Sequence, residues 1–234
     1  MALKLKQYTP NYKGLDADFN MTREAPIIII ITNRNTGKTT NIFGWLIDNG
    51  WIENKKQFLI LTRWKNEQEL AETKLLAAQE YYGFNIQYSK KEQAFVCQDT
   101  NKVVGFIGSL SGANAIKNAS EKYRDVEYII FDEFLPTDGR YIKESSKPGY
   151  ELDNLKSIIA SVRKGRDGEY TRNIKVVLMA NLVDALNPYL KGIYDSNGDS
   201  LLTIVARAQM NGQTNLTHDD KDVFLTVHID SSFE

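Results

Sequence analysis

Apolar residues in this 234-residue chain occur in short aliphatic runs that are separated by longer polar segments. Residues 27–31 are five consecutive isoleucines. Such a β-branched run is typical of a parallel strand that is buried on both faces. Similar runs recur along the chain, so buried strands are predicted at residues 27–31, 58–62, 126–131 and 174–180.

Helical patterns occupy the segments between these strands. Residues 66–82 are rich in Glu, Gln, Ala, Leu and Lys, and residues 151–164 repeat apolar side chains at helical spacing. Helices are predicted at residues 38–49, 66–82 and 151–164, and the first two are expected to end at Gly50 and Gly83. Alternating strands and helices predict an α/β fold with three layers and a mostly parallel central sheet.

Two regions depart from this alternation. Residues 84–108 contain short strand-like runs that are broken by polar residues, which predicts a small antiparallel insertion. Residues 201–208 and 223–229 are interpreted as a late strand pair. We expect an irregular lead-in, an α/β core and a C-terminal strand pair that completes the core or is appended to it, at residues 1–25, 26–195 and 196–234.

Composition narrows the class of protein. The chain has 42% hydrophobic residues, which is enough for a sizeable core and excludes disorder as its main state. It carries 29 Lys and Arg against 30 Asp and Glu, so a protein that coats nucleic acid through its overall charge is not expected. One cysteine, Cys97, excludes an internal disulfide framework and fits a reducing compartment. No apolar run approaches the ~20 residues of a membrane span.

The first chemical motif follows the isoleucine strand and begins the next helix, which is the context of a phosphate-binding loop. In such a loop backbone N–H groups surround the phosphates, Lys38 reaches the β- and γ-phosphates, and the Thr39 hydroxyl binds Mg²⁺. The pattern normally begins with glycine, whereas this chain has Thr32 there. The alternative is the start of a surface helix. The predicted nucleotide-binding residues of this segment are Thr32, Asn33, Arg34, Asn35, Thr36, Gly37, Lys38, Thr39 and Thr40.

The second motif is the apolar run of residues 128–131, which ends in Asp132 and Glu133. At the carboxyl edge of a parallel sheet these side chains face the ligand crevice. We expect Asp132 to hold Mg²⁺, directly or through water, and Glu133 to orient and deprotonate the attacking water. The alternative is a strand that ends in a solvated acidic turn.

The strand predicted at residues 58–62 falls between the two motif strands along the chain. P-loop proteins with an additional strand between the motif strands, and a glutamate beside the acidic motif, are mostly ATP-driven motors. The fold class is therefore predicted to be a P-loop NTPase of the additional-strand catalytic-glutamate type.

Three further polar residues are candidates for contact with nucleotide. Arg34 could stabilise transition-state charge from the same subunit, or it could be a solvated loop residue. Arg63 could touch nucleotide or Glu133, although a salt bridge is slightly favoured. Asn181 follows a predicted strand and suits a residue that senses the γ-phosphate, or it could be a turn residue.

A basic stretch follows the acidic motif. Residues 140–175 hold nine Lys and Arg against five acids, a net +4, while the remainder of the chain is −5. Arg163 and Arg166 come after a predicted amphipathic helix, so either could be an arginine finger that is presented to a neighbouring subunit. The alternative is that they are cations favoured by the dipole of the helix C-terminus.

Taken together, these blocks resemble the DNA-packaging ATPases of phi-29-like phages. The blocks occur in the order of that family, with the acidic block and the Asn-Pro-Tyr element as its more specific parts, at residues 32–39, 58–65, 129–134, 162–166, 180–181 and 186–189. The similarity extends from about residue 27 to residue 189.

The resemblance implies an ATP- and Mg²⁺-dependent motor that moves double-stranded viral DNA into a preformed capsid. It implies a homo-oligomeric ring, usually a pentamer, on the portal or connector, with a packaging RNA as an optional partner and no membrane. By matching position, Lys38 and Thr39 bind nucleotide and Mg²⁺, Asp132 supports Mg²⁺, Glu133 is the catalytic base, and Arg163 is the finger with Arg166 as the fallback. The expected location is the host cytoplasm, transiently on the procapsid.

Members of that family usually carry a second, nuclease-like domain, which is expected to be absent from this chain. DNA-contacting residues are not assigned. Two alternatives remain open: another ATP-driven nucleic-acid motor, such as a helicase or a plasmid or conjugation ATPase, and a nucleotide-binding scaffold that does not hydrolyse ATP.

Overall fold

A computed structural model describes residues 15–34, 36–136, 139–143, 150–164, 173–181 and 187–228. The strands within these ranges are β1 (Ile27–Thr32), β2 (Gln57–Thr62), β3 (Ile86–Ser89), β4 (Ala94–Cys97), β5 (Lys102–Ser109), β6 (Val126–Asp132), β7 (Lys175–Asn181), β8 (Asn215–Asp219) and β9 (Val223–His228). The four strands predicted from continuous apolar runs all form.

The α-helices in the same ranges are α1 (Ala17–Met21), α2 (Lys38–Trp45), α3 (Gln68–Tyr82), α4 (Ala113–Asn118), α5 (Tyr150–Arg163), α6 (Pro188–Gly192) and α7 (Leu201–Met210). A π-helical segment, Leu46–Glu53, continues α2, and short 3-10 turns occur at Lys65–Glu67, Leu110–Gly112 and Ser120–Tyr123. None of the described helices has the length and apolar character needed to cross a membrane.

The described strands form one mixed, mostly parallel sheet in the order β3-β4-β5-β2-β6-β7-β1-β9-β8. The six strands from β5 to β9 in this order are parallel to one another, while β3, β4 and β8 are antiparallel to their neighbours. The predicted α/β class is therefore confirmed. The antiparallel segment at residues 84–108 is not separate from the sheet, because β5 pairs in parallel with β2 and so extends it.

The assignment of the additional strand was wrong. The strand that lies between β1 and β6 in the sheet is β7, whereas β2 lies on the outer side of β6. Along the chain β2 is the first strand after β1, which suggested β2 for this position. In the sheet, however, β7 and β6 occupy the two positions between β1 and β2. The additional-strand arrangement is present, and a different segment supplies it.

Helices cover both faces of the sheet, which gives the three layers. Ile28 and Ile30 pack with the cluster under α1, α2 and α3, and Ile29 and Ile31 pack with the cluster under α4 to α7. All four side chains are fully buried. The isoleucine run is thus explained by a central strand that contributes to two cores at once.

Two predicted element boundaries differ from the structure. The helix that was expected to end at Gly50 continues to Glu53 in π-helical form. Trp51 is only 6% exposed and belongs to the same core cluster as Leu46 and Ile47, so burial favours continuing the helix past the glycine. Likewise the lead-in is not wholly irregular, because the Asp16 carboxylate caps α1 by accepting a hydrogen bond from the Phe19 amide.

The strand predicted at residues 201–208 was also wrong, because this segment is helix α7. The Ser200 side chain caps it by accepting from the Thr203 amide at 3.2 Å. Its buried residues follow a helical spacing of three and four, at Leu201, Ile204, Val205 and Ala208. The strand at 223–228 does form, but it pairs with β8 and, in parallel, with β1. The last strands of the described chain therefore belong to the central sheet.

Candidate functional site

The carboxyl ends of three neighbouring strands place the site. Thr32 at the end of β1 lies in register with Asn181 at the end of β7, and Asp132 ends β6 opposite Met179. Because these strands are parallel, their last residues meet at one edge of the sheet, where ligands of open α/β sheets bind.

Helix α2 begins at this edge behind the predicted phosphate loop. Gly37 precedes it with φ 76°, a left-handed conformation that glycine adopts without steric penalty. The Thr32 and Thr36 hydroxyls lie 2.8 Å apart and bond to each other, and the Thr36 hydroxyl also donates to the Asn33 carbonyl at 3.2 Å. The residue that replaces the first glycine therefore braces the loop internally. Asn35 lies outside the described residues.

Lys38 is drawn into the site rather than into solvent. Its side chain is largely buried, and its ammonium donates to the Asn181 side-chain oxygen at 2.5 Å. Burial lowers the pKa of Lys38, and the nearby Asp132 and Glu133 carboxylates oppose that shift. Lys38 and Asn181, which are far apart in sequence, thus act as one pair. Thr40, two residues after Lys38, is half-buried on α2.

Thr39 and Asp132 form the pair that could hold a metal ion. The Thr39 hydroxyl donates to Asp132 Oδ2 at 3.2 Å. Asp132 Oδ1 is buried and has no hydrogen-bond partner among the described residues. A buried carboxylate oxygen in this condition, beside a hydroxyl, suits Mg²⁺, which prefers hard oxygen ligands and takes only one or two from a protein that also binds phosphates.

Glu133 has an unusual backbone conformation, with φ 60°. A non-glycine residue in the left-handed region is strained, and such strain persists only where surrounding contacts impose it. Here the next amide, of Phe134, donates to the Met179 carbonyl at 3.1 Å. The Glu133 side chain is 57% exposed and lines the same cleft as Lys38 and Asp132.

Arg63 contacts the backbone of the same turn. Its Nη2 donates to the Phe134 carbonyl at 2.8 Å and to the Glu133 carbonyl at 3.3 Å. Its Nε donates to both oxygens of the Glu151 carboxylate, at 3.0 and 3.2 Å, and both side chains are almost fully buried. The structure shows the salt bridge, to Glu151, and also a contact with Glu133 through its backbone carbonyl. Contact of Arg63 with nucleotide stays a prediction.

Glu151 and Lys74 were not anticipated from the sequence. Glu151 also accepts hydrogen bonds from the Tyr189 hydroxyl and the Ile142 amide, both at 2.7 Å. The sequence signal that could have identified Glu151 is the presence of an acidic residue on the apolar face of α5. Lys74 of α3 bonds to Asp132 and Glu133 at 2.8 and 2.9 Å, and no local pattern around it distinguishes it from a solvated helix residue.

The charge of Lys74 depends on opposing effects. Burial lowers the pKa of its ammonium, but the Asp132 and Glu133 carboxylates outweigh burial, so the pKa is raised overall. A permanent cation therefore lies beside the two acidic residues.

Arg34 and Arg163 lie at opposite ends of the parallel strands. Arg34 is exposed and lines the same cleft of about 410 Å³ as Lys38 and Asp132. Arg163 ends α5 and lines a different cavity with Glu127 and Lys175, which lie at the amino ends of β6 and β7. The structure therefore separates Arg163 from the site of its own chain. Arg166 lies outside the described residues.

These positions can be compared with known proteins. The sequence model of the Podovirus DNA encapsidation protein (Gp16) family matches residues 17–197. The chain belongs to this family. No curated protein matches the chain by sequence.

Solved structures of packaging proteins have the same fold as this encapsidation-family chain. The N-terminal domain of the DNA packaging ATPase from bacteriophage phi29 matches with a TM-score of 0.60 and 20% identity, over 90% of this chain and 94% of that one. A chain of the bacteriophage Phi-29 viral genome packaging motor assembly matches with a TM-score of 0.60 and 21% identity, over 95% of this chain and 57% of that one.

A third match is the Phi-28 gp11 DNA packaging motor, with a TM-score of 0.59 and 17% identity, over 92% of this chain and 59% of that one. The chain thus spans somewhat more than half the length of the two longer motor chains. The shared fold is that of a DNA-packaging ATPase domain.

Proposed function

We propose that this chain is an ATP-hydrolysing motor that drives double-stranded viral DNA into a preformed capsid. The observation that carries the proposal is the meeting of Lys38, Thr39, Asp132, Glu133 and Asn181 at the carboxyl edge of three adjacent parallel strands. Membership of the encapsidation family supports the biological setting.

Nucleotide binding is assigned to the loop and to the start of α2. Backbone N–H groups there favour the β-phosphate, since the first N–H groups of a helix have no partner within the helix. Lys38 would exchange its bond to Asn181 for the β- and γ-phosphates, which leaves Asn181 free to sense the γ-phosphate. Thr39 and Asp132 would hold Mg²⁺, which supplies neutralisation of phosphate charge when bound.

Glu133 is the proposed catalytic base. Its exposed carboxylate faces the cleft from a backbone that Met179 and Arg63 hold in a strained conformation. A carboxylate placed in this way orients a water molecule for in-line attack on the γ-phosphate and accepts its proton. Arg63 acts through the Glu133 backbone and is a positioning residue in this scheme.

The proposal extends to a ring of subunits. Arg163 lies at the edge of the sheet away from its own Lys38, so a catalytic role requires that it reach the site of a neighbouring copy. Arg34 lines the cleft of its own chain and would stabilise the same phosphate charge from within. The phi29 relative is part of a genome packaging motor assembly. We extend that setting to this chain as a homo-oligomeric ring, of five copies by analogy, which docks on a portal with or without a packaging RNA.

The test is DNA packaging by the full chain on purified procapsids with ATP and Mg²⁺. Wild type is expected to hydrolyse ATP and to protect DNA from added nuclease. Glu133→Gln is expected to keep nucleotide binding but to hydrolyse at least about 100-fold more slowly. Hydrolysis by Glu133→Gln at the wild-type rate would contradict the assignment of Glu133 as the catalytic base.

The same assay separates the alternatives. Hydrolysis stimulated by DNA without any affinity for the portal would indicate another nucleic-acid motor, such as a helicase or a plasmid ATPase. Tight nucleotide binding with no phosphate release in assembled rings would indicate a scaffold. DNA binding by backbone contacts should weaken steeply as salt is raised, since counterions are released on binding.

A further inference from the structure

The Lys74 ammonium is placed between the two acidic residues of the site. Its Nζ lies 2.8 Å from Asp132 Oδ2 and 2.9 Å from Glu133 Oε1. The Asp132 carboxylate is 9% exposed and the Lys74 side chain 27%, so water screens this contact only partly. Helix α3 is fixed in place by its own buried face, which includes Ala71, Leu75 and Ala78.

One oxygen of Asp132 is shared. Asp132 Oδ2 accepts a hydrogen bond from Lys74 and another from the Thr39 hydroxyl at 3.2 Å. Thr39 and Asp132 are the pair to which Mg²⁺ was assigned above. An ammonium and a divalent cation on the same carboxylate would repel each other strongly, because neither is fully screened by water.

We propose that Lys74 is a positioning residue that holds Asp132 and Glu133 together and keeps Asp132 from binding a divalent cation unless nucleotide phosphates arrive with it. The inference rests on the proposed function of this site as a Mg²⁺–nucleotide site. Lys74 offsets the charge of both carboxylates, so a bare cation that binds Asp132 must do so against repulsion from the ammonium. Phosphates add negative charge that offsets this repulsion.

Lys74 also has a second partner, Glu133, which it retains when a cation takes its place on Asp132. When Asp132 is released, the ammonium remains bonded to Glu133, whose exposed carboxylate can turn with it. Lys74 therefore links occupation of the metal position to the orientation of the proposed base. Lys74 thus determines the sequence in which the ligands bind, so that cation and nucleotide enter the site together.

The test measures binding of Mn²⁺ to the full chain in the absence of nucleotide, with the free ion counted by electron paramagnetic resonance. Lys74→Gln is expected to bind Mn²⁺ about tenfold or more tightly than wild type, since a unit charge beside a partly buried site is worth at least that factor. Lys74→Arg, which keeps the charge, should stay within about threefold of wild type. Lys65→Gln removes the same charge from an exposed position and should not change Mn²⁺ affinity.

Addition of a non-hydrolysable ATP analogue should narrow the difference between wild type and Lys74→Gln. Lys74→Met preserves the aliphatic stem and repeats the measurement if the glutamine variant is poorly folded. Equal Mn²⁺ affinity of wild type and both neutral variants, without nucleotide, overturns the inference. The proposed function fails separately, if wild type does not bind the Mg²⁺–analogue complex or if Lys38→Ala binds it as well as wild type does.

Discussion

Arg63 and Glu151 form a buried ion pair directly behind the backbone of Glu133, with Nε–Oε distances of 3.0 and 3.2 Å. One guanidinium nitrogen of Arg63 continues to the Glu133 and Phe134 carbonyls, and the Tyr189 hydroxyl completes the shell of Glu151. Burial raises the pKa of Tyr189 well above its usual value, and the Glu151 carboxylate raises it further. The pair therefore connects the end of β2, α5 and the acidic motif, and both of its side chains are almost fully buried.

Glu151→Gln should destabilise the protein and slow hydrolysis together. Loss of one member of a buried pair leaves the Arg63 charge uncompensated, which typically costs about 3–5 kcal/mol. The same change frees the Glu133 backbone, so the hydrolysis rate should fall while nucleotide still binds. Urea unfolding and steady-state hydrolysis measure the two effects.

The control for Glu151 is Glu127→Gln. Glu127 pairs with Lys56 at 3.0 Å on the surface, and pairs of this kind contribute at most about 1 kcal/mol. If both variants lower the free energy of unfolding by the same small amount, the buried pair of Glu151 does not stabilise the protein more than a surface pair does.

The strain at Glu133 can be measured by comparing two inactive variants. Glycine adopts φ 60° freely, whereas alanine has about the same difficulty as glutamate. Glu133→Gly should therefore unfold with a free energy about 1 kcal/mol higher than that of Glu133→Ala. Both variants lack the carboxylate and should not hydrolyse ATP. A Glu133→Ala variant as stable as Glu133→Gly would show that the turn is not strained.

Arg163→Ala should abolish most hydrolysis in assembled rings, by about 1,000-fold if it acts as an arginine finger between subunits. Mixing Arg163→Ala with Glu133→Gln subunits should restore part of the activity, since some interfaces then combine an intact base with an intact arginine. Hydrolysis rates across a series of mixing ratios provide the measurement. Lys156→Ala, an exposed cation of the same helix, is the matched control. Normal hydrolysis by Arg163→Ala rings would assign the finger elsewhere.

Gly44→Ala should destabilise the fold although alanine is the better helix former. A Cβ at this position would come within 2.2 Å of the Tyr82 ring, where α2 packs on α3. Overpacking of this severity typically costs about 1–3 kcal/mol, more than the gain of about 1 kcal/mol in helix propensity. Thermal or urea unfolding checks the sign.

Each pattern in the sequence determines structure only over the stretch of chain that it covers. The isoleucine run predicted a central strand because burial on two faces requires apolar residues at every position, and β1 has this environment. The strand prediction at residues 201–208 was wrong because the buried residues of this segment repeat at spacings of three and four, which is the period of a helix. Sheet order was not encoded locally, so the additional strand was assigned to β2 when β7 occupies that place.

The sequence by itself determined the strand–loop–helix start of the site, the acidic end of β6 and the family, because each depends on neighbouring residues in a fixed order. Tertiary structure alone decided that Lys38 pairs with Asn181, that Lys74 lies between Asp132 and Glu133, and that Glu151 neutralises Arg63. These contacts join segments 58 to 143 residues apart. They form because parallel strands bring their carboxyl ends to one edge, where charges that are removed from water must find partners across the sheet.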